Sequence, residues 1–186
     1  MRISIRQAAA GDAAEVSAIL QEAAKWLDDR GMRLWQTGEL SPSSITRDLS
    51  EGVIFIAEDE GAAAGTIRFQ LEDPQFWPDI PAGESAFVHR LAVRRRYAGG
   101  LVSSALLKWA VERTRGLGRR FLRLDCEAAR PRLRAVYERF GFRHHSDRQV
   151  GPYYVSRYEY AIDSESSLPS TLAQKPQVPR KERGKT

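Results

Sequence analysis

Apolar residues recur along this chain in two rhythms. Residues 2–7, Arg2-Ile3-Ser4-Ile5-Arg6-Gln7, alternate as a half-buried strand does. From Asp12 the period lengthens. Asp12 and Glu15 have the spacing of a helix-capping box, and Val16, Ile19, Leu20, Ala23 and Leu27 then fall on one helical face, with Gly31 placed to end it. Ser41-Pro42 predicts the N-cap and first position of a second, short helix through Ile45 and Leu49, closed by Gly52. Residues 53–57 form a continuous apolar strand, Asp59-Glu60-Gly61 a turn, and residues 64–71 the returning arm of a hairpin. A proline-bearing loop over 73–83 leads to a strand at 85–93. Leu101, Ala105, Leu106, Trp109 and Ala110 mark a helix over 101–115. A strand at 121–126, a helix over 131–140 stopped by Gly141, and strands at 142–145 and 153–162 complete the pattern.

The resulting order is β-α-α-β-β-β-α-β-α-β-β. Helices interleaved with strands and a hairpin predict an α/β fold, in the α+β sense of a central mixed parallel and antiparallel sheet flanked by helices. Periodicity fails after Ile162, where Ser, Pro, Gln, Lys and Arg dominate. Residues 1–162 therefore read as one folded domain and 163–186 as a disordered basic C-terminal tail.

Composition sharpens this picture. A length of 186 residues with 42% hydrophobic content suits a single domain with a real core. No apolar run approaches the ~18 residues of a spanning helix, and the N-terminus lacks a signal-peptide apolar block, so a cytoplasmic protein without a membrane partner is expected. The single cysteine, Cys126, excludes an intrachain disulfide and a multi-cysteine zinc site. The net charge of +5 hides a division: residues 1–89 carry 7 Lys+Arg against 15 Asp+Glu, residues 90–160 carry 17 against 6. Of the 29 basic residues 24 are Arg, suited to forked phosphate contacts. The positive half is either solvated surface or the seat of a polyanionic ligand, for which nucleic acid and a phosphate-rich cofactor both qualify.

The densest candidate chemistry is the strand-to-helix passage Leu91-Ala92-Val93-Arg94-Arg95-Arg96-Tyr97-Ala98-Gly99-Gly100-Leu101-Val102-Ser103-Ser104. A helix start offers unpaired backbone N–H groups and a partial positive charge, and Gly99-Gly100 lets backbone approach a pyrophosphate. The glycine pattern of a dinucleotide fold is missing, as is the Gly-Lys-Ser/Thr of a nucleotide phosphate loop.

This run, followed thirty residues later by Tyr137-Glu138-Arg139-Phe140-Gly141-Phe142, resembles the GNAT superfamily of acyl-CoA-dependent N-acetyltransferases. The order of elements over about residues 2–162 matches as well. The resemblance implies acetyl-CoA as cosubstrate, held by residues 91–96 and 98–104, and no metal. The family loop Gln/Arg-x-x-Gly-x-Gly/Ala aligns with Ala98-Gly99-Gly100-Leu101-Val102-Ser103, so its leading basic residue is Ala98 here. Arg94, Arg95 and Arg96 are the candidates to supply that charge. Arg130 stands where relatives tend to carry an Asn.

Acetylating an amine requires a proton acceptor for the amine and a proton donor for the departing thiolate. The resemblance implies His89 as the first, directly or through water, and the Tyr137 phenol as the second. Trp26, Trp35 and Trp77, with the carboxylates Asp28, Asp29, Glu39, Asp73 and Asp79 on the same segments, suit an ammonium-bearing acceptor, a small molecule or peptide. Direct attack in a ternary complex is the expected chemistry, and a homodimer is compatible with it. Nucleic acid is not the expected partner, although an RNA-directed acetyltransferase and a catalytically weak acyl-CoA-binding regulatory module stay open as alternatives.

Overall fold

Seven strands gather the apolar runs into one sheet. In the computed structural model they are β1 (Ile3–Gln7), β2 (Ile54–Asp59), β3 (Ala62–Gln70), β4 (Ser85–Val93), β5 (Phe121–Glu127), β6 (Arg143–Val150) and β7 (Tyr153–Ala161). Their order across the sheet is β1-β2-β3-β4-β5-β7-β6. Neighbours run antiparallel except β4 and β5, which are parallel. The structure describes residues 2–32, 35 and 38–162. The expected basic tail, 163–186, lies outside the described residues.

The strands are buried on both faces because helices cover both. Helices α1 (Ala13–Asp28) and α2 (Pro42–Ser50) pack on one face, α3 (Val102–Gly116) and α4 (Pro131–Phe140) on the other. Strand β2 shows the consequence. Ile54 and Ile56 join the α1/α2 core while Phe55 and Ala57 join the α3/α4 core, so the run reads as continuously apolar.

The two helix starts behave differently. Ser41 caps α2 as its sequence predicts, accepting the Ser44 N–H at 3.2 Å. The expected box at Asp12 does not form. Its carboxylate turns to the Arg6 guanidinium (2.7 Å) and the Ala9 N–H (2.7 Å), and a short 3-10 turn over Ala10–Asp12 precedes α1 instead. Strand β6 is longer than the expected 142–145. It is an outer strand with one neighbour and a largely exposed, polar sequence, so no apolar alternation marks its extent.

Helix α3 lies close on the sheet because β3 carries a glycine beneath it. A Cβ on Gly65 would fall 2.8 Å from the Ala92 carbonyl oxygen and 3.0 Å from Val102 Cγ1. Gly65→Ala should therefore cost about 1–3 kcal/mol in chemical denaturation, the usual range for overpacking. Gly11→Ala, where a Cβ meets nothing within 4 Å, serves as the neutral reference. Equal stability of the two variants would show that the sheet and α3 do not need this close approach.

Candidate active site

The sheet contains a break at its centre. Strands β4 and β5 pair from Ser85↔Phe121 to Val88↔Leu124 and then part. Beyond that point β4 continues to Val93 against β3 alone, while β5 continues against β7. From His89 onward the β5-facing edge of β4 lacks a strand partner, and its backbone groups need another acceptor or donor. Strand β4 also bulges there. Arg68 pairs with His89 and Thr66 with Ala92, so Arg90 and Leu91 together oppose Ile67. Arg90 takes φ 49°, a left-handed conformation that an arginine adopts only under constraint. Its guanidinium is held 2.6 Å from buried Asp48 on α2.

His89 and Asp125 are the first residues past the last β4–β5 pair. Val88 and Leu124 point into the α3/α4 core, so His89 and Asp125 point to the other face. There the loop between β3 and β4 folds over them. Arg157 on β7 anchors that loop, with a forked contact to Asp79 (2.6 and 3.1 Å) and a bond to the Phe76 carbonyl (3.2 Å). Asp73 is thereby set beside the histidine. Its Oδ2 lies 3.0 Å from His89 Nε2, and Asp125 Oδ1 lies 3.4 Å from Nδ1. Both ring nitrogens thus face carboxylates, at geometries short of a linear hydrogen bond.

The two carboxylates differ electrostatically. Burial pushes Asp73 upward, but the His89 ring and the N–H groups of Phe76 and Gln75 outweigh it, leaving the carboxyl below its ordinary range. Burial pushes Asp125 up to about 6; neighbouring Asp73 adds to this, and His89 and Arg157 oppose it. The three side chains each offer one ligand atom within 4.8 Å of the others. The carboxylates address opposite nitrogens, however, which clamps an imidazole rather than surrounding an ion.

Tyr137 on α4 lies on the opposite face of the sheet, buried with Cys126 and edge-on to Phe142 at 6.0 Å. Burial raises its phenol well above the ordinary value, with Cys126 and Asp125 adding to the shift. Cys126 is pushed up to about 12, chiefly by burial, and so is no thiolate nucleophile.

The loop after β4 is a 3-10 turn over Arg95–Tyr97, then Gly99 at φ +74°, then α3 from Val102. Leu101 at the N-cap provides no side-chain bond, and the first helical bond runs from the Ala105 N–H to the Leu101 carbonyl. The N–H groups of Val102, Ser103 and Ser104 are left at the helix's positive end.

Arg94 is held by Glu15 (2.6 Å) and Glu22 (2.9 Å) of α1. Arg95 stacks on Trp26 at 4.1 Å and its N–H donates to Glu22. The guanidinium groups of Arg95 and Arg96 make neither an ion pair nor a hydrogen bond among the described residues; Arg96 lies over Tyr97. Arg130 binds Glu127 and the Met32 carbonyl, tying the start of α4 to the segment after α1. The tryptophans do not form an aromatic cage. Arg30 and Arg95 both stack on Trp26, Trp35 packs on the α1/α2 core, and Trp77 is 2% exposed between Arg157 and Arg123. The aromatic ring beside His89 is Phe76, at 5.9 Å. Asp125 escaped sequence reasoning; the available signal was a strand whose charges, Arg123 and Asp125, alternate with an apolar set.

A profile of the Acetyltransferase (GNAT) family matches residues 20–142. The uncharacterized N-acetyltransferase YesJ of Bacillus subtilis is 33% identical over 138 residues, covering 70% of this chain and 76% of that protein. A GNAT-family acetyltransferase from Listeria monocytogenes shares the fold at a TM-score of 0.68 and 23% identity, over 85% of this chain and 95% of the other. The protein yncA of Salmonella typhimurium, in a structure holding its cofactor acetyl-CoA, aligns at a TM-score of 0.66 and 14% identity, over 91% and 99% of the two chains. Sequence match and fold agree with a sheet that parts between β4 and β5 ahead of an uncapped helix: the chain belongs to the GNAT family and is an N-acetyltransferase.

Proposed function

We propose that this N-acetyltransferase transfers the acetyl group of acetyl-CoA to a primary amine of a small molecule or peptide, by direct attack in a ternary complex. The observation that carries the reading is the edge of β4 from His89 to Val93, which lacks a β5 partner and leads through the Arg94–Leu101 loop to the open N-terminus of α3. Backbone groups along that edge can hold the acetyl-bearing arm. The N–H groups of Val102, Ser103 and Ser104, with the turn at Gly99-Gly100, suit its pyrophosphate. Arg95 and Arg96 are the arginines of the triplet whose guanidinium groups make no ion pair among the described residues, and Arg96 is the candidate tested below.

His89 accepts the amine proton as the nitrogen attacks the thioester carbonyl. The C–S bond then breaks, and Tyr137 gives its proton to the departing sulfur. A buried phenol that holds its proton firmly stays neutral until a thiolate forms beside it. The nucleic-acid reading of the basic half loses support, because Arg90, Arg94, Arg123 and Arg157 are spent on carboxylates.

Acetyl-CoA should stabilise the fold, by about 2.7 kcal/mol at 100-fold over its dissociation constant. A melting temperature unmoved by millimolar acetyl-CoA would remove the basis of the proposal. His89→Gln should cost ~10²–10⁴ in rate and alter the acidic limb of the pH–rate curve. Tyr137→Phe should lower turnover and leave acetyl-CoA affinity nearly unchanged; a loss of stability alone would make it a packing residue. Arg96→Ala should raise the acetyl-CoA KM in a salt-sensitive way, whereas Arg94→Ala should lower the melting temperature. The reverse assignment would mean that α1, not the loop, meets the cofactor.

A further inference from the structure

Both nitrogens of His89 face carboxylates, and a neutral imidazole can donate from only one. The two carboxylates are not equivalent. Asp73 is 5% exposed and its other oxygen accepts the Phe76 N–H at 3.1 Å, so it is built to remain an anion. An anion beside a ring nitrogen favours a proton there. Asp125 has no such backbone donor among its contacts and lies farther from its nitrogen, 3.4 Å against 3.0 Å, while the facing oxygens of both carboxylates lack an aligned hydrogen bond among the described residues. Asp125 sits at the parting of β4 and β5, where the acyl-bearing arm is proposed to lie.

We propose that Asp73 and Asp125 are positioning residues that set the tautomer of His89: Nε2 carries the proton toward Asp73, and Nδ1, beside Asp125, is the basic nitrogen that takes the amine proton. The inference rests on the proposed role of His89 as proton acceptor. When Nδ1 gains that proton the imidazolium lies between two carboxylates. The charged groups around the ring come from four elements. Asp73 belongs to the loop, Asp125 to β5, Arg157 to β7 opposite Asp125, and Arg68 to β3 opposite His89. The two arginines are turned to other anions, Arg157 to Asp79 and Arg68 to Asp48 and Glu51, so the carboxylates dominate at the ring.

The test combines kinetics with spectroscopy on the full chain. In ¹⁵N-histidine-labelled protein without substrate, the ring signal lost in His89→Gln identifies His89 among the three histidines. That signal should report the Nε2–H tautomer at pH 8, and Asp73→Asn should abolish this preference. With a reactive amine, Asp125→Asn should alter the acidic limb of kcat/KM, because it removes an ionisable group beside the proton acceptor. The acetyl-CoA KM should stay within about twofold. In a His89→Gln background, adding Asp125→Asn should cost nothing further, because a positioning residue acts through the histidine. Misfolding is separable from this. Asp125 has a raised pKa in the fold, so its anion is a liability above pH 6, and Asp125→Asn should melt no lower than wild type at pH 8.

An Nδ1–H tautomer in the wild type would overturn the inference. So would an unshifted limb, a further loss in the double variant, or activity lost to a chelator and restored by a divalent cation. If instead His89→Gln retains the wild-type rate and profile, the proposed function loses its proton acceptor, and the substrate-free tautomer still decides the positioning role.

Discussion

The parting of β4 from β5 is the feature on which the rest of the molecule depends. A parallel pair that stops at Val88 and Leu124 leaves backbone groups unpaired in the middle of a seven-stranded sheet. Such groups cost about 1–3 kcal/mol each when buried without partners, so the arrangement makes sense only where a ligand can meet them. The neighbouring structure follows from the same break. The bulge at Arg90 lies on the freed stretch of β4, and α3 starts where that stretch ends, held close by Gly65. The loop that precedes β4 closes the α1/α2 side and delivers Asp73 to the histidine.

The uneven charge along the chain is resolved by folding. Carboxylates of the first half meet arginines of the second: Glu15 and Glu22 with Arg94, Asp48 with Arg90, Glu84 with Arg123, Asp79 with Arg157. Arg123 and Arg157 are buried, and stripping a buried charge of its partner costs about 3–5 kcal/mol. Arginines bound this tightly are braces between distant segments, not arms for a polyanion. The arginine triplet after β4 divides on the same ground: Arg94 joins the loop to α1, while the Arg95 and Arg96 guanidinium groups make no ion pair among the described residues.

What was legible in the sequence follows what physics writes locally. Strands β2 to β4 announce themselves because both faces are buried, and the loop at Gly99-Gly100 because backbone must turn before α3. Strand β6 was truncated in the reading because an outer strand needs no apolar alternation. The Asp12 cap was misread because Arg6, on a neighbouring element, outcompetes the helix start for the carboxylate. The surroundings of the tryptophans are long-range for the most part: Arg95 on Trp26 and Arg157 on Trp77 come from distant segments, and only Arg30, four residues after Trp26, is near in sequence. Asp125 was illegible for a topological reason. A carboxylate in an alternating strand reads as solvent-facing until the order β4-β5-β7 buries it between two strands.

Adjacent residues of β5 then divide the proposed chemistry. Asp125 points to the face of His89 and Asp73, Cys126 to the face of Tyr137. The first face is polar and anionic, suited to an ammonium group that must lose a proton. The second is apolar, suited to a phenol that must keep one until a thiolate appears. A reaction that removes a proton from nitrogen and returns one to sulfur needs these two environments at once, without mutual neutralisation. A single strand, alternating its side chains, keeps them on separate faces and chemically distinct.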